Sequence, residues 1–250
     1  MLHTKEALGF FSAVQFLTRI PVPPGEHKLE DAFIWFAPVG LLIGALLALV
    51  DYLARSIALS SSVTAALIVT TWLLVTGALH ADGLMDTCDA VFAHASAERR
   101  LEIMRDPRAG AFGVVGIVCV VLLKFAALDA LPVAVRLQTL ILAPGLGRWA
   151  IAFVSALFPY ARETGLGAPL KKAATPRALL VASIAPLVAC GVVWPLGLPL
   201  AALALLTAWL VSRGLLMALP GLTGDCYGAV CELVEAVVLV GAAPVAHALS

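Results

Sequence analysis

Charge is what this sequence has least of. Asp, Glu, Lys and Arg together make up 13% of its 250 residues, roughly half the share found in an ordinary globular chain. Sixteen basic residues are matched by sixteen acidic ones, so no net field exists to hold a nucleic-acid backbone, and nucleic acid is excluded as a partner. Cysteine is sparse as well. Cys88, Cys119, Cys190, Cys226 and Cys231 include no CxxC pair, which argues against a disulfide framework or a thiolate metal site and reads as reduced packing residues. The apolar stretch from Ala7 to Leu17 is followed by Arg19 without a small-residue cleavage site; it is not expected to be a signal peptide.

Apolar surface is what the chain has in excess. With 62% hydrophobic residues and a mean hydropathy of +1.01, most of it has no polar face to turn toward water, which excludes soluble, disordered, fibrous and coiled-coil classes. The expected fold is an all-α integral membrane protein, a single polytopic domain over residues 1–250. A bilayer core of about 30 Å needs roughly 17 to 25 apolar residues per helix. Seven segments come near that: 34–50, 63–79, 111–128, 137–158, 178–193, 196–211 and 229–249. The fifth and sixth are short and separated only by Trp194-Pro195, as in a tight hairpin or a partly re-entrant pair. Ahead of them, over residues 4–20, Ala7, Phe10, Val14 and Leu17 recur at helical spacing while Ser12, Gln15 and Arg19 share the other side. That pattern predicts an amphipathic helix lying in the membrane interface, ended by Pro21, Pro23 and Pro24.

Seven spans divide the basic residues unevenly. Twelve, running from Lys5, Arg19 and Lys28 through the loops around Arg99 to Arg108 and Arg162 to Arg177 to Arg213, fall on one side; Arg55 and Arg136 fall on the other. The positive-inside rule then puts the N-terminus and the loops 80–110 and 159–177 in the cytoplasm and the C-terminus on the far side. Lys124 and Arg148 lie inside spans. Lys124 is close enough to a helix end to snorkel. Arg148 is expected to face the bundle interior, paired with an acid such as Glu232 or Glu235 or with a substrate phosphate.

The most informative segment is HADGLMDTCDA, His80 to Ala90. On a helix, Asp86 and Asp89 lie within about 40° and 20° of Asp82, so three carboxylates share one narrow face. They repel one another, and a cation should bind there. An oxygen-rich cluster suits magnesium or manganese, shared between one or two carboxylates and substrate phosphates. Asp106 sits in MRDPRAGAFG between Arg105 and Arg108, a pattern fit for approaching a phosphate. In GLTGDCYGAVCELVE, Asp225 and Glu232 are seven residues apart on one helix face, with Glu235 a turn deeper; acids inside an apolar span are costly and functional by default. PYARETGLG, Pro159 to Gly167, brings Arg162 among glycines able to line a phosphate pocket.

These segments together resemble the cobalamin-5′-phosphate synthase family, the adenosylcobinamide-GDP ribazoletransferases. The blocks that carry the likeness are FLTRIPVP at Phe16 to Pro23, GALHADGLMDTCDA at Gly77 to Ala90, MRDPRAGAFG at Met104 to Gly113, GRW at Gly147 to Trp149, PYARETGLG, and GLTGDCYGA at Gly221 to Ala229. The resemblance implies a multi-pass enzyme of the bacterial inner membrane. Its substrates would be adenosylcobinamide-GDP and α-ribazole or its 5′-phosphate, with GMP released and Mg2+ as cofactor. Membrane lipid is a partner, and an oligomer is neither required nor excluded. Carried onto this chain, Asp82, Asp86 and Asp89 are expected to bind metal, and Asp82, Asp86, Asp106 and Glu232 to serve catalysis, Asp106 as a further ligand or as the base for the ribazole 5′-hydroxyl. His80, Arg19, Arg105, Arg108, Arg148, Arg162 and Asp225 are expected to contact substrate, since a guanidinium pairs bidentately with phosphate oxygens. His80 points away from the aspartates on a regular helix and reaches substrate if that turn is irregular.

Two other classes compete. A CDP-alcohol phosphotransferase also uses membrane-embedded aspartates, but here Asp82-Gly83 is followed by Leu-Met-Asp rather than that family's Ala-Arg pair. A secondary transporter usually shows two related halves, and the aspartate motif does not recur in the second half. The charge count makes one direct prediction. An impermeant maleimide applied to intact cells should fail to label Ala95→Cys and should label it once the membrane is opened; labelling from outside would invert the placement of both long loops.

Overall fold

The computed structural model describes residues 2–165 and 167–249, with side chains from Ala7 onward, and among these every regular element is helical. In chain order they are α1 (Leu2–Leu17), α2 (Leu29–Ala32) with a 3-10 turn over Phe33–Trp35, α3 (Phe36–Ser56), α4 (Ser61–Thr76), α5 (Leu79–Phe92), α6 (Ala97–Ile103), α7 (Ala111–Ala130), α8 (Val133–Leu157), α9 (Gly167–Ala173), α10 (Pro176–Val192), α11 (Gly197–Leu215) and α12 (Gly224–Leu249). The helix starts follow local chemistry. Ser60, Ser96 and Thr175 accept the amide three residues on and cap α4, α6 and α10, and Pro176 opens α10 where no amide donor is needed.

Five helices are long and apolar enough to cross a membrane: the α2–α3 run, α7, α8, α11 and α12. Counting each sharply bent pair, α4 with α5 and α9 with α10, as one span raises the number to as many as seven. Each of the seven apolar runs overlaps a helix, in order α3, α4, α7, α8, α10, α11 and α12. Leu180, Ile184, Leu187 and Val188 on α10, and Val114, Val115, Val118 and Leu122 on α7, stand exposed with no polar residue among them, a surface that only lipid can cover. The side chain of Lys5, which entered the charge count, lies outside the described residues.

Three details differ from the sequence expectation. Ser12 is buried rather than on a polar side of α1, because its hydroxyl donates to the Leu8 carbonyl at 2.8 Å and needs no water. Arg136 does not sit in an outer loop: it is buried in α8, donating through Nε to Asp51 of α3 at 2.6 Å and through Nη1 to the Leu128 carbonyl. The second apolar run, expected to reach residue 79, stops at Thr76. There Gly77 takes a left-handed φ of +59°, its amide donating to Leu74, while the amide of Ala78 reaches back to Leu73, the paired bonds of a Schellman ending. Ala78 is left-handed too, at φ +54°. A second such residue in succession costs of order 1–2 kcal/mol for a side chain with a Cβ and sets α5 at 90° to α4. The aspartate helix thus lies off the line of the spans.

At the centre, α8 packs against α3, α12, α10 and α11. The α3–α8 crossing depends on missing side chains, since a Cβ on Gly44 would lie 2.6 Å from the Ile141 backbone. Small residues at such crossings let backbones approach where lipid gives no hydrophobic drive to associate. Gly44→Leu should accordingly destabilise the detergent-solubilised protein by about 1–3 kcal/mol or more, seen as a lower melting temperature and yield, whereas Leu42→Ala, 54% exposed toward lipid, should leave both close to the parent.

Candidate active site at the α5–α12 crossing

Two helices meet here with almost nothing between them. A Cβ on Gly83 would stand 2.8 Å from the Asp225 carbonyl oxygen, and one on Gly228 3.1 Å from that of His80. The contact sets Asp82 and Asp86 of α5 beside Asp225 in the first turn of α12. Just upstream, Ala161 donates to Leu222 and Leu222 to Pro159, both at 2.8 Å. That isolated bridge ties the PYARETGLG segment to the start of α12. It brings the Arg162 guanidinium to 3.3 Å from Asp225 Oδ2, which also accepts from Thr223 Oγ1 at 3.2 Å. Asp86 is half-buried among these acids. Burial first, then the carboxylates of Asp82, Asp225 and Asp89, push it up to about 7 against the opposing pull of Arg162. A carboxyl that resists ionising beside other carboxylates is one whose charge a cation would stabilise.

Two cavities flank Asp82. One, of about 100 Å3, has mostly apolar walls that include Phe16, Phe36, Leu79, Ile151, Leu170 and Tyr227, with His80, Asp82 and Asp225 also on its lining. The other, of about 180 Å3, is polar and lies between Asp82 and Asp86 on one side and Arg105 and Asp106 on the other. Asp82 is thus shared by a greasy chamber and a charged one.

Other expected residues are engaged by other partners. Asp89 does not complete a metal trio with Asp82 and Asp86: its two oxygens accept the amides of Gly110 and Gly113 at 2.7 and 2.8 Å, pinning the N-terminus of α7, where a carboxylate is favoured. Among the described residues no three His, Cys, Asp or Glu side chains form a ready-made metal cage. Asp82 and Asp86 still fit magnesium, which commonly takes one or two carboxylates and completes its shell with waters and phosphate oxygens. Asp106 is not poised to take a proton. Arg108 donates to both its oxygens, at 2.9 and 2.7 Å, and these bonds hold the carboxyl down at about 2. Arg19 is exposed and folds over the bend, its side chain occupying the space where a Cβ on Gly77 would go while its amide donates to Val75 at 2.7 Å.

The residues 9–243 match the family model described as cobalamin-5-phosphate synthase. The chain belongs to that family. It is 40% identical over 230 residues to an adenosylcobinamide-GDP ribazoletransferase of Desulforamulus reducens, covering 89% of this chain and 91% of the relative. The same name is carried by a Stutzerimonas stutzeri protein that is 40% identical over 242 residues, with 94% and 98% covered, and by a Pseudomonas putida protein that is 39% identical over 245 residues with the same coverage. No solved structure matches the chain.

Below the crossing, this member of the cobalamin-5-phosphate synthase family holds a buried group of charges that the sequence pattern only half revealed. Lys124 does not snorkel. Its ammonium donates to Glu232 at 2.7 Å and to Glu235 at 2.5 Å and lies 4.4 Å from the centre of the Trp72 ring. Glu235 also pairs with Arg148, which donates through Nη2 to His80 Nδ1 at 3.3 Å. Glu232 is turned to Lys124 rather than toward Asp225, and Arg148, fully buried, takes the first of its two expected kinds of partner, an acid, in Glu235. The signal was present: α12 carries two acids in an apolar run, and Lys124 and Arg148 are the two cations inside the apolar runs read from the sequence. Two positive and two negative side chains cancel, so removing one leaves an uncompensated buried charge costing about 3–5 kcal/mol. Lys124→Met should therefore cut the yield of folded protein severely, and adding Glu232→Gln should restore much of it. No recovery in the double variant would contradict the pairing.

Proposed function

We propose that this chain joins adenosylcobinamide-GDP to α-ribazole or α-ribazole 5′-phosphate with release of GMP, closing the cobalamin nucleotide loop as a magnesium-dependent phosphotransferase. The observation that carries the reading is the meeting of Asp82, Asp86, Asp225 and Arg162 beside two cavities of opposite character, in a family whose relatives bear that activity in their names. We place the enzyme in the bacterial inner membrane with these residues facing the cytoplasm, where nucleotides are made.

The transfer exchanges one phosphate–oxygen bond for another. With α-ribazole 5′-phosphate as acceptor the 5′ oxygen already carries phosphate, so the attacking oxygen belongs to a ribose ring hydroxyl rather than to the expected 5′-hydroxyl. It bonds to the phosphorus that carries cobinamide, the bond from that phosphorus to the bridging oxygen breaks, and GMP departs with that oxygen. The hydroxyl proton passes to a carboxylate of the Asp82–Asp86–Asp225 group. Arg105, exposed on the polar cavity, and Arg162 are the cations suited to the diphosphate, where charge accumulates as GMP leaves. Magnesium bound at Asp82 and Asp86 would supply further neutralisation of the diphosphate oxygens. Asp106, kept ionised by Arg108, fixes the geometry of that loop better than it captures protons.

The purified protein, given adenosylcobinamide-GDP, α-ribazole and magnesium, should release GMP in an α-ribazole-dependent manner. Asp82→Asn and Asp86→Asn should each lower turnover by at least about 100-fold with an unchanged melting temperature. GMP release without α-ribazole, or acceptance of a CDP-lipid instead, would overturn the reading.

A further inference from the structure

The apolar cavity contains a hydrogen-bonding group whose polarity is fixed by its neighbour. A guanidinium has donors and no acceptor, so the contact between Arg148 Nη2 and His80 Nδ1 at 3.3 Å requires Nδ1 to be the unprotonated ring nitrogen. The ring proton is then on Nε2. That atom is buried and has no partner among the described residues, and the same holds for the hydroxyl of Tyr227. Both residues line the cavity, are at least nine-tenths buried, and stand among Phe16, Phe36, Leu79 and Ile151. Buried polar groups without partners are rare in finished structures because each forfeits its hydration. Here a bound acceptor would satisfy His80 Nε2.

Resting on the ribazoletransferase reading, we propose that this cavity receives the heteroaromatic base of the ribazole substrate, and that His80 holds it as an obligatory Nε2–H donor, with Arg148 the positioning residue that fixes the tautomer. The match is chemical. The dimethylbenzimidazole of α-ribazole, glycosylated at one nitrogen, offers an apolar bicyclic face, two methyl groups, one acceptor nitrogen and no N–H donor; the cavity offers mostly apolar walls and a donor, with Asp82 and Asp225 also on its lining. Guanine is the competing occupant, because Asp82 and Asp225 on the same lining would accept from its N–H groups, and the kinetics below separate the two. The polar cavity across Asp82, with Arg105 and Asp106, suits the nucleotide diphosphate. In this arrangement the two substrates approach Asp82 from opposite sides, and His80 plays no part as a base, since one ring nitrogen is engaged by Arg148 and the other carries the proton.

Steady-state kinetics and calorimetry on the detergent-solubilised full chain test this. His80→Ala should raise KM and the dissociation constant for α-ribazole about tenfold, as expected for a lost hydrogen bond, without changing KM for adenosylcobinamide-GDP. His80→Gln, which carries an N–H near the position of Nε2, should recover most of the affinity, and His80→Asn, whose amide reaches only as far as Nδ1, should not. Phe16→Ala should shift the same constant for α-ribazole alone, and supplies the test should the His80→Ala protein fold poorly. A rise in KM for adenosylcobinamide-GDP instead would give the cavity to guanine and overturn the proposal. So would equal behaviour of the Gln and Asn variants, or affinity for α-ribazole indifferent to His80 and Phe16. Calorimetry needs no turnover, so the two readings separate: His80-dependent α-ribazole binding without GMP release would sink the transferase reading and leave the subsite standing.

Discussion

Four charged side chains from three helices neutralise one another inside a bundle whose outer surface is lipid-facing. Lys124 of α7 and Arg148 of α8 are matched to Glu232 and Glu235 of α12, and Arg148 carries the chain of contacts on to His80 at the start of α5. Charges in such a place are tolerated only as a complete set. The set therefore fixes the rotation of α7, α8 and α12 about their own axes, and with it which face of α12 meets the aspartate helix. It also couples the interior of the membrane to the site, because the last member of the chain is a cavity-lining residue.

Close approach of backbones supplies the rest of the geometry. Gly83 and Gly228 let α5 rest on α12, Gly113 and Gly116 let α7 rest on α5, and Gly147 lets α8 rest on α12. Leu84 of α5 packs with Val120 of α7 and with Ala229 and Ala236 of α12, and the aspartate helix is held by this contact together with the amides of Gly110 and Gly113 that Asp89 accepts. The left-handed pair Gly77 and Ala78 turns α5 across the bundle. Strain stored at Ala78, one helical turn from Asp82, is of the sort found beside functional sites, where the surrounding structure holds a residue in a sparsely populated conformation.

The wheel of Asp82, Asp86 and Asp89 was legible, but it assigned one role to three residues that have two. Spacing along a helix reports a shared face and says nothing of what stands opposite. Asp89 faces the amides that open α7, and its companions face Asp225, a residue more than a hundred positions away. Lys124 and Glu232 were each visible as expensive residues in apolar runs; their pairing was not, because interhelical register leaves no trace in a single chain's periodicity. Asp106 and Arg108 were read as a phosphate-approach loop, and two residues of separation was enough for them to satisfy each other first. The apolar cavity had no sequence signal, since Phe16, Phe36, Ile151 and Leu170 look the same as any other residue that lines a core.

By itself the sequence determined the solvent of this protein, its helical class, the position of its apolar runs and the segments that carry chemistry, because each depends on composition or on a period shorter than one helix. The order of six motifs along the chain also pointed to the family. Tertiary structure decided the right-angle turn of α5, the partners of every buried charge, the replacement of Asp89 by Asp225 beside Asp86, and the tautomer of His80. Those depend on distances between residues remote in the chain. They are set by which helix surfaces are small enough to touch and which charges must cancel where water cannot reach.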